Sequence, residues 1–173
     1  MVMPDAIKLY SAATLDALSA EAARLPRLRK NLNVHPGLED PIQRLFNALE
    51  PGTYARPHRH ARDSGWELMV VVRGAFAVLF FDDAGRILTR VDLRANEGAC
   101  AVEVPARAWH CVVSLAPGTL MFEVKPGPYS PVEDKDFAAW APPEGDPWAP
   151  AWVGWFETAL PGDRMGHQFV FGS

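Results

Sequence analysis

From about residue 42 the apolar residues come in short runs broken by Gly, Pro or Asp. The runs are IQRLFNALE (42–50), TYARPHRH (53–60), WELMVVV (66–72), AFAVLFFD (75–82), RILTRVDL (86–93), CAVEVP (100–105), HCVVSL (110–115) and TLMFEVK (119–125). They are rich in Val, Leu, Phe and Thr, which predicts β-strands. DDAGR (82–86), between two strong runs, predicts a hairpin turn. Strands this closely spaced, with no crossover helices between them, predict an antiparallel sandwich or barrel. WELMVVV and AFAVLFF are apolar on both faces. One face fills the barrel; the other needs a second sheet, a terminal segment or another subunit. Ahead of the strands, Leu15, Leu18, Ala22 and Leu25 fall at helical spacing. They predict a short helix over 11–25, capped by Ser11 or Thr14 and stopped by Pro26. The basic stretch Arg24, Arg27, Arg29, Lys30 reads as a solvated face, or, if it lies near a pocket, as arginines that meet an anionic ligand. After Lys125 come closely spaced prolines and Trp140, Trp148, Trp152 and Trp155. A free linker would leave those tryptophans in water, so 126–173 is expected to be an irregular tail packed on the barrel or on a partner subunit. The expected organisation is therefore a lead-in over 1–41, a barrel over 42–125 and the tail.

The chain has 173 residues, enough for one domain. Lys plus Arg is 17 against 21 Asp plus Glu, a net charge of −4. That gives no basic field for a nucleic acid or an anionic membrane. The longest apolar run, 75–81, is far short of the ~20 residues that span a bilayer. No apolar segment behind a basic start marks a secretory leader, and a cytoplasmic protein is expected. Cys100 and Cys111 are too few for a disulfide framework and are expected to be reduced, buried thiols.

The histidines carry the candidate chemistry. His58 and His60 lie two apart, so on a strand they share a face. Glu67 opens the next strand, and Gly74 follows as its turn. His110 sits after a Pro-containing turn at the start of another strand. Alone, each of these residues has a plainer role: two strand histidines, a rim carboxylate, a core histidine. Together, three imidazoles and a carboxylate from three strands make a mononuclear metal site with open positions.

The arrangement resembles the two motifs of the cupin superfamily, a double-stranded β-helix or jelly-roll barrel. Gly52, His58, His60, Glu67 and Gly74 fall on the first motif, with a longer His–Glu gap (ARDSGW) than is usual. Gly98, Pro105 and His110 fall on the second, with Arg107 where glycine is usual and Ser114 where asparagine is usual. More narrowly, RKNLNVHPGLEDPIQRLFNALEPGTYARPHRH, WELMVVVRG, EVPARAWH and EVKPGPYSPVEDKDFAAWAP are similar to the WbuC-type cupin-fold metalloproteins of bacterial polysaccharide and O-antigen genes. The resemblance implies one divalent Fe, Mn, Ni or Zn ion on His58, His60, Glu67 and His110. It also implies a sugar or sugar-derived ligand and a homodimer. The protein is then either a metal-dependent enzyme or a metal- and carbohydrate-binding module without turnover.

Strand parity supplies further pocket candidates. If Met121, Glu123 and Lys125 face inward, Glu123 and Lys125 are an acid–base pair near the metal; the alternative is a solvent face. Gln43 with Asn47, or Arg44, would bond a ligand from the adjacent strand. Arg107 places a charge at the mouth, and Tyr129 reaches the rim. His35, in the turn NVHPG, is expected on a surface loop. His167 is assigned no role.

Overall fold

The computed structural model describes residues 7–60, 64–129 and 135–166. In chain order the elements are α1 (Ala12–Ala22), β1 (Arg29–Asn33), β2 (Ile42–Leu49), β3 (His58–Arg59) and β4 (Glu67–Arg73). There follow β5 (Ala75–Phe81), β6 (Ile87–Arg94), β7 (Ala101–Val104), β8 (Trp109–Ser114), β9 (Thr119–Pro126), β10 (Asp136–Phe137) and α2 (Ala149–Thr158). The strands form two five-stranded antiparallel sheets, ordered β1-β2-β9-β4-β7 and β10-β3-β8-β5-β6. This is the expected all-β jelly roll.

Alternation along β5 shows how the layers are built. Phe76 and Val78 point between the sheets and meet Met69, Val71, Val104 and Met121. Ala77, Leu79 and Phe81 point the other way, onto α2 through Trp152, Val153 and Phe156. On the other sheet, Ala48 and Leu120 face outward and are covered by Leu18 and Ala22 of α1. The second apolar face of the strands is therefore covered by terminal segments of the same chain. At roughly 1.5–3 kcal/mol per fully buried large apolar side chain, each helix is held by burial more than by its own propensity.

The turns fall where glycine allows them. Gly74, between β4 and β5, has φ of +73°, and a Cβ there would lie 2.5 Å from Thr119 Oγ1. The β5–β6 hairpin closes over Asp82–Arg86, with Asp82 N–H donating to the Arg86 carbonyl at 2.9 Å.

Four expectations are corrected. The C-terminal segment is not irregular throughout, because it contains α2. Pro150 stands in the first turn of α2, where its missing N–H costs no hydrogen bond. The basic stretch is not simply a solvated face. Arg29 and Lys30 belong to β1, paired with Leu49 and Ala48, so the sheet begins ahead of residue 42. The Arg29 guanidinium is largely covered and donates to the Tyr54 carbonyl at 2.6 Å and to Glu144 at 2.7 Å. TYARPHRH is a strand over His58–Arg59 alone. Cys111 is buried but Cys100 is exposed, since it precedes β7 outside the core; both are free thiols. Helix α1 begins as expected, with Ser11 Oγ accepting from Thr14 N–H at 3.2 Å. No helix among the described residues is long and apolar enough to cross a membrane.

Candidate metal centre

Parity delivers the four expected ligands to one point. His58 on β3 stands opposite His110 on β8. Glu67 opens β4 in the facing sheet, and His60 follows β3 directly. One ligand atom from each of His58, His60, Glu67 and His110 lies within 4.8 Å of all the others, and all four residues are at most 8% exposed.

The hydrogen bonds set which ring nitrogen is offered. A carbonyl can only accept, so His58 Nδ1–H donates to the Arg56 carbonyl (3.0 Å) and His110 Nδ1–H to the Ala108 carbonyl (2.9 Å). Both rings then present Nε2 to the centre, an arrangement common to metal-bound histidines. His58 Nε2 is buried with no hydrogen-bond partner among the described residues. Glu67 lies between the other two rings, 3.0 Å from His60 Nε2 and 2.9 Å from His110 Nε2. Separations of about 3 Å are those between neighbouring ligands on one ion with bonds of roughly 2.1 Å. The donor set fits a divalent transition metal.

Electrostatics point the same way. Burial, with the Lys135 and His110 charges, holds His58 well below the usual histidine range, so its ring is neutral and ready to ligate. Burial pushes the Glu67 carboxyl up, but its close contacts with the His110 and His60 rings and with the Lys125 ammonium outweigh it. The carboxyl is held well below the usual range and is anionic. A bound ion would supply Lewis-acid polarisation of a ligand oxygen, or activation of water or dioxygen. The chain supplies the fixed rings, the carboxylate and the shelter from solvent.

The inward face of β9 carries Glu123 and Lys125, so the solvent-face alternative is excluded by their burial. Lys125 Nζ lies 3.3 Å from Glu67 Oε1 and 3.0 Å from Glu123 Oε1. Glu123 also accepts from Asn47 Nδ2 at 2.9 Å. Beyond them is a cavity of about 530 Å³ lined by β1, β2, β9 and the loops at their ends. Gln43, Tyr129, Glu123 and Lys125, all expected pocket residues, line it. Gln43 spends both amide hydrogens on the Leu38 and Asp40 carbonyls, holding the loop over the cavity. Lys125 Nζ lies over the Tyr129 ring, 5.6 Å from its centroid.

Arg107 is placed elsewhere. It is exposed, in a separate hollow with Asp82, Asp83 and Trp109. It keeps the turn despite lacking the glycine of the cupin pattern, with φ of +66°, and its N–H donates to the His60 carbonyl at 3.0 Å. Arg44 turns outward to Asp40. Sequence reasoning missed Asn31 and Asn33, which line the cavity from β1. Their alternation in KNLN was the available signal. It also misplaced His35, which is 6% exposed and lines the cavity. Its Nδ1 lies 3.0 Å from Arg44 N–H, so it takes the place of a strand partner. His167 lies outside the described residues.

Residues 10–93, just under half the chain, match the model of a domain family of unknown function, DUF6016. No protein in the curated set matches by sequence. Among solved structures, salicylate 1,2-dioxygenase from Pseudoaminobacter salicylatoxidans, in complex with gentisate, superposes with a TM-score of 0.52 at 13% identity. The match covers 69% of this chain and 33% of that one. Oxalate oxidase in complex with the substrate analogue glycolate gives 0.50 at 16% identity, over 66% of this chain and 57% of that one. A cupin superfamily protein from Desulfitobacterium hafniense gives 0.45 at 15% identity, over 57% and 76%. At these identities the likeness speaks to the fold alone, a jelly roll of two antiparallel sheets.

Proposed function

We propose that this protein is a metal-dependent cupin enzyme acting on a sugar or sugar-derived small molecule in the cytoplasm. The observation that carries the reading is the buried convergence of His58, His60, Glu67 and His110 on one point. The polar cavity that shares Lys125 with that point supports a small-molecule ligand. The sugar class, and a setting in bacterial polysaccharide metabolism, come from the WbuC-type resemblance.

The test has two stages. The chain purified without chelator is expected to hold one Fe, Mn, Ni or Zn ion, measured by elemental mass spectrometry. His60→Ala and His110→Ala are expected to lose most of it while the far-ultraviolet circular dichroism stays that of a β-protein. Retention of the ion by the His110→Ala variant overturns the site. The metal-loaded chain is then assayed against sugars and nucleotide sugars. Binding without turnover across that panel favours the second reading, a metal- and carbohydrate-binding module.

A further inference from the structure

We infer that the cavity beside the metal centre takes a small monocarboxylate bearing several hydroxyls, a sugar acid or a related hydroxy acid, and that His35 reads one of its oxygens. The inference rests on the metal reading above and deepens it.

Charge is the first argument. Glu67 and Glu123 bring two negative charges to the wall between the cavity and the centre, and Lys125 returns one; all three are at most 8% exposed. A divalent ion on the ligand set leaves these groups with one net positive charge, and the cavity lining adds Arg27 and Arg29, which share Glu144, together with Lys30 and Lys135. Buried charge left uncompensated is costly. One monoanion in the cavity offsets it, and a neutral polyol does not.

His35 is the second, independent argument. The Arg44 N–H can only donate, and Nδ1 of His35 is its acceptor at 3.0 Å. The Arg44 oxygen lies 2.9 Å from the same nitrogen, but it already accepts from Val34 N–H at 2.8 Å and loses nothing without His35, whereas a proton on Nδ1 would take from Arg44 N–H its acceptor. The neutral ring therefore carries its proton on Nε2. That atom is buried and has no partner among the described residues, on a residue that lines the cavity. A buried donor left unpaired costs about 1–3 kcal/mol, and an acceptor oxygen in the cavity removes that cost. The amides of Asn31, Asn33 and Asn47, also in the lining, are groups that suit hydroxyls. The volume of about 530 Å³ is of the right size for such a ligand.

The test uses gluconate and sorbitol, which share a polyol chain and differ in the carboxylate. Calorimetry on the metal-loaded full chain is expected to show gluconate binding about tenfold or more tighter than sorbitol. The His35→Asn variant keeps an acceptor near the Nδ1 position and removes the Nε2 donor. It is expected to weaken gluconate about tenfold with metal content unchanged. Nitrogen-15 spectra of the histidine rings are expected to show His35 as the Nε2–H tautomer, its proton shifting when gluconate is added. Equal binding of the two probes overturns the inference, as does binding indifferent to His35→Asn or an Nδ1–H tautomer. In those cases the bound metal leaves the proposed function standing. A chain that holds no metal overturns both.

Discussion

Arg107 holds a backbone conformation that suits glycine, at φ of +66°, and its side chain is exposed. A left-handed conformation costs a residue with a Cβ about 1 kcal/mol. Arg107→Gly is therefore expected to raise the melting temperature by about 2–4 °C, read by calorimetry, with metal content unchanged. A lower melting temperature means that the side chain contributes more than the backbone costs. The cysteines give a second residue-scale expectation. Burial pushes the Cys111 thiol well above its usual range, whereas Cys100 is exposed. A thiol reagent at neutral pH is expected to modify one thiol of the native chain quickly and the second only on unfolding. Two fast thiols mean that the packing of α2 on β8 is not as described. The metal ligands were legible because strand parity and motif spacing are local. His35 was not: NVHPG reads as a turn, and the ring is buried by β2, which no local pattern places beside it.

At the scale of elements, each of the eight runs contains a strand, although in TYARPHRH it is only His58–Arg59; WELMVVV and AFAVLFF were the plainest, since a run apolar on both faces can only sit between two layers. The elements missed were those whose reason lies in a partner. β1 is an edge strand of five mostly polar residues, RKNLN, which pair with β2 and present Asn31 and Asn33 to the cavity. α2 was hidden by prolines that read as breakers, although Pro150 occupies a turn that tolerates it. Its apolar side is what covers β5 and β8. Phe156 is 1% exposed and meets Phe81, Tyr54 and Trp152. Phe156→Ala is expected to cost about 3–5 kcal/mol in denaturant unfolding. A loss below about 1 kcal/mol means that α2 is not part of the cooperative core. The same packing covers Trp140, Trp152 and Trp155 within the chain. The tail tryptophans thus supply no argument for a partner subunit, although Trp148 remains about half exposed.

At the scale of the whole molecule, the metal-free chain carries the cost of its own site. His58 is held low by burial, so as pH falls past about 6.5 the unfolded chain takes up a proton before the folded one does, and stability falls. Glu67 is also held low; its contribution is full above the unfolded carboxyl value and is lost as pH falls below it, toward the lower folded value. The melting temperature of the metal-free protein is expected to fall steadily from about pH 7 to about pH 5 and more steeply below about pH 4. A flat profile over the upper interval contradicts the buried, neutral state of His58. Lys125 has a consequence of another kind. One ammonium serves Glu67 on the metal side and Glu123 on the cavity side. Any guest that draws it toward the cavity changes how strongly Glu67 holds an ion. By thermodynamic reciprocity the ion must change the guest's affinity by the same factor. On the proposed function the two sites behave as one linked equilibrium, and the free-ion concentration becomes a dial on the occupancy of the cavity.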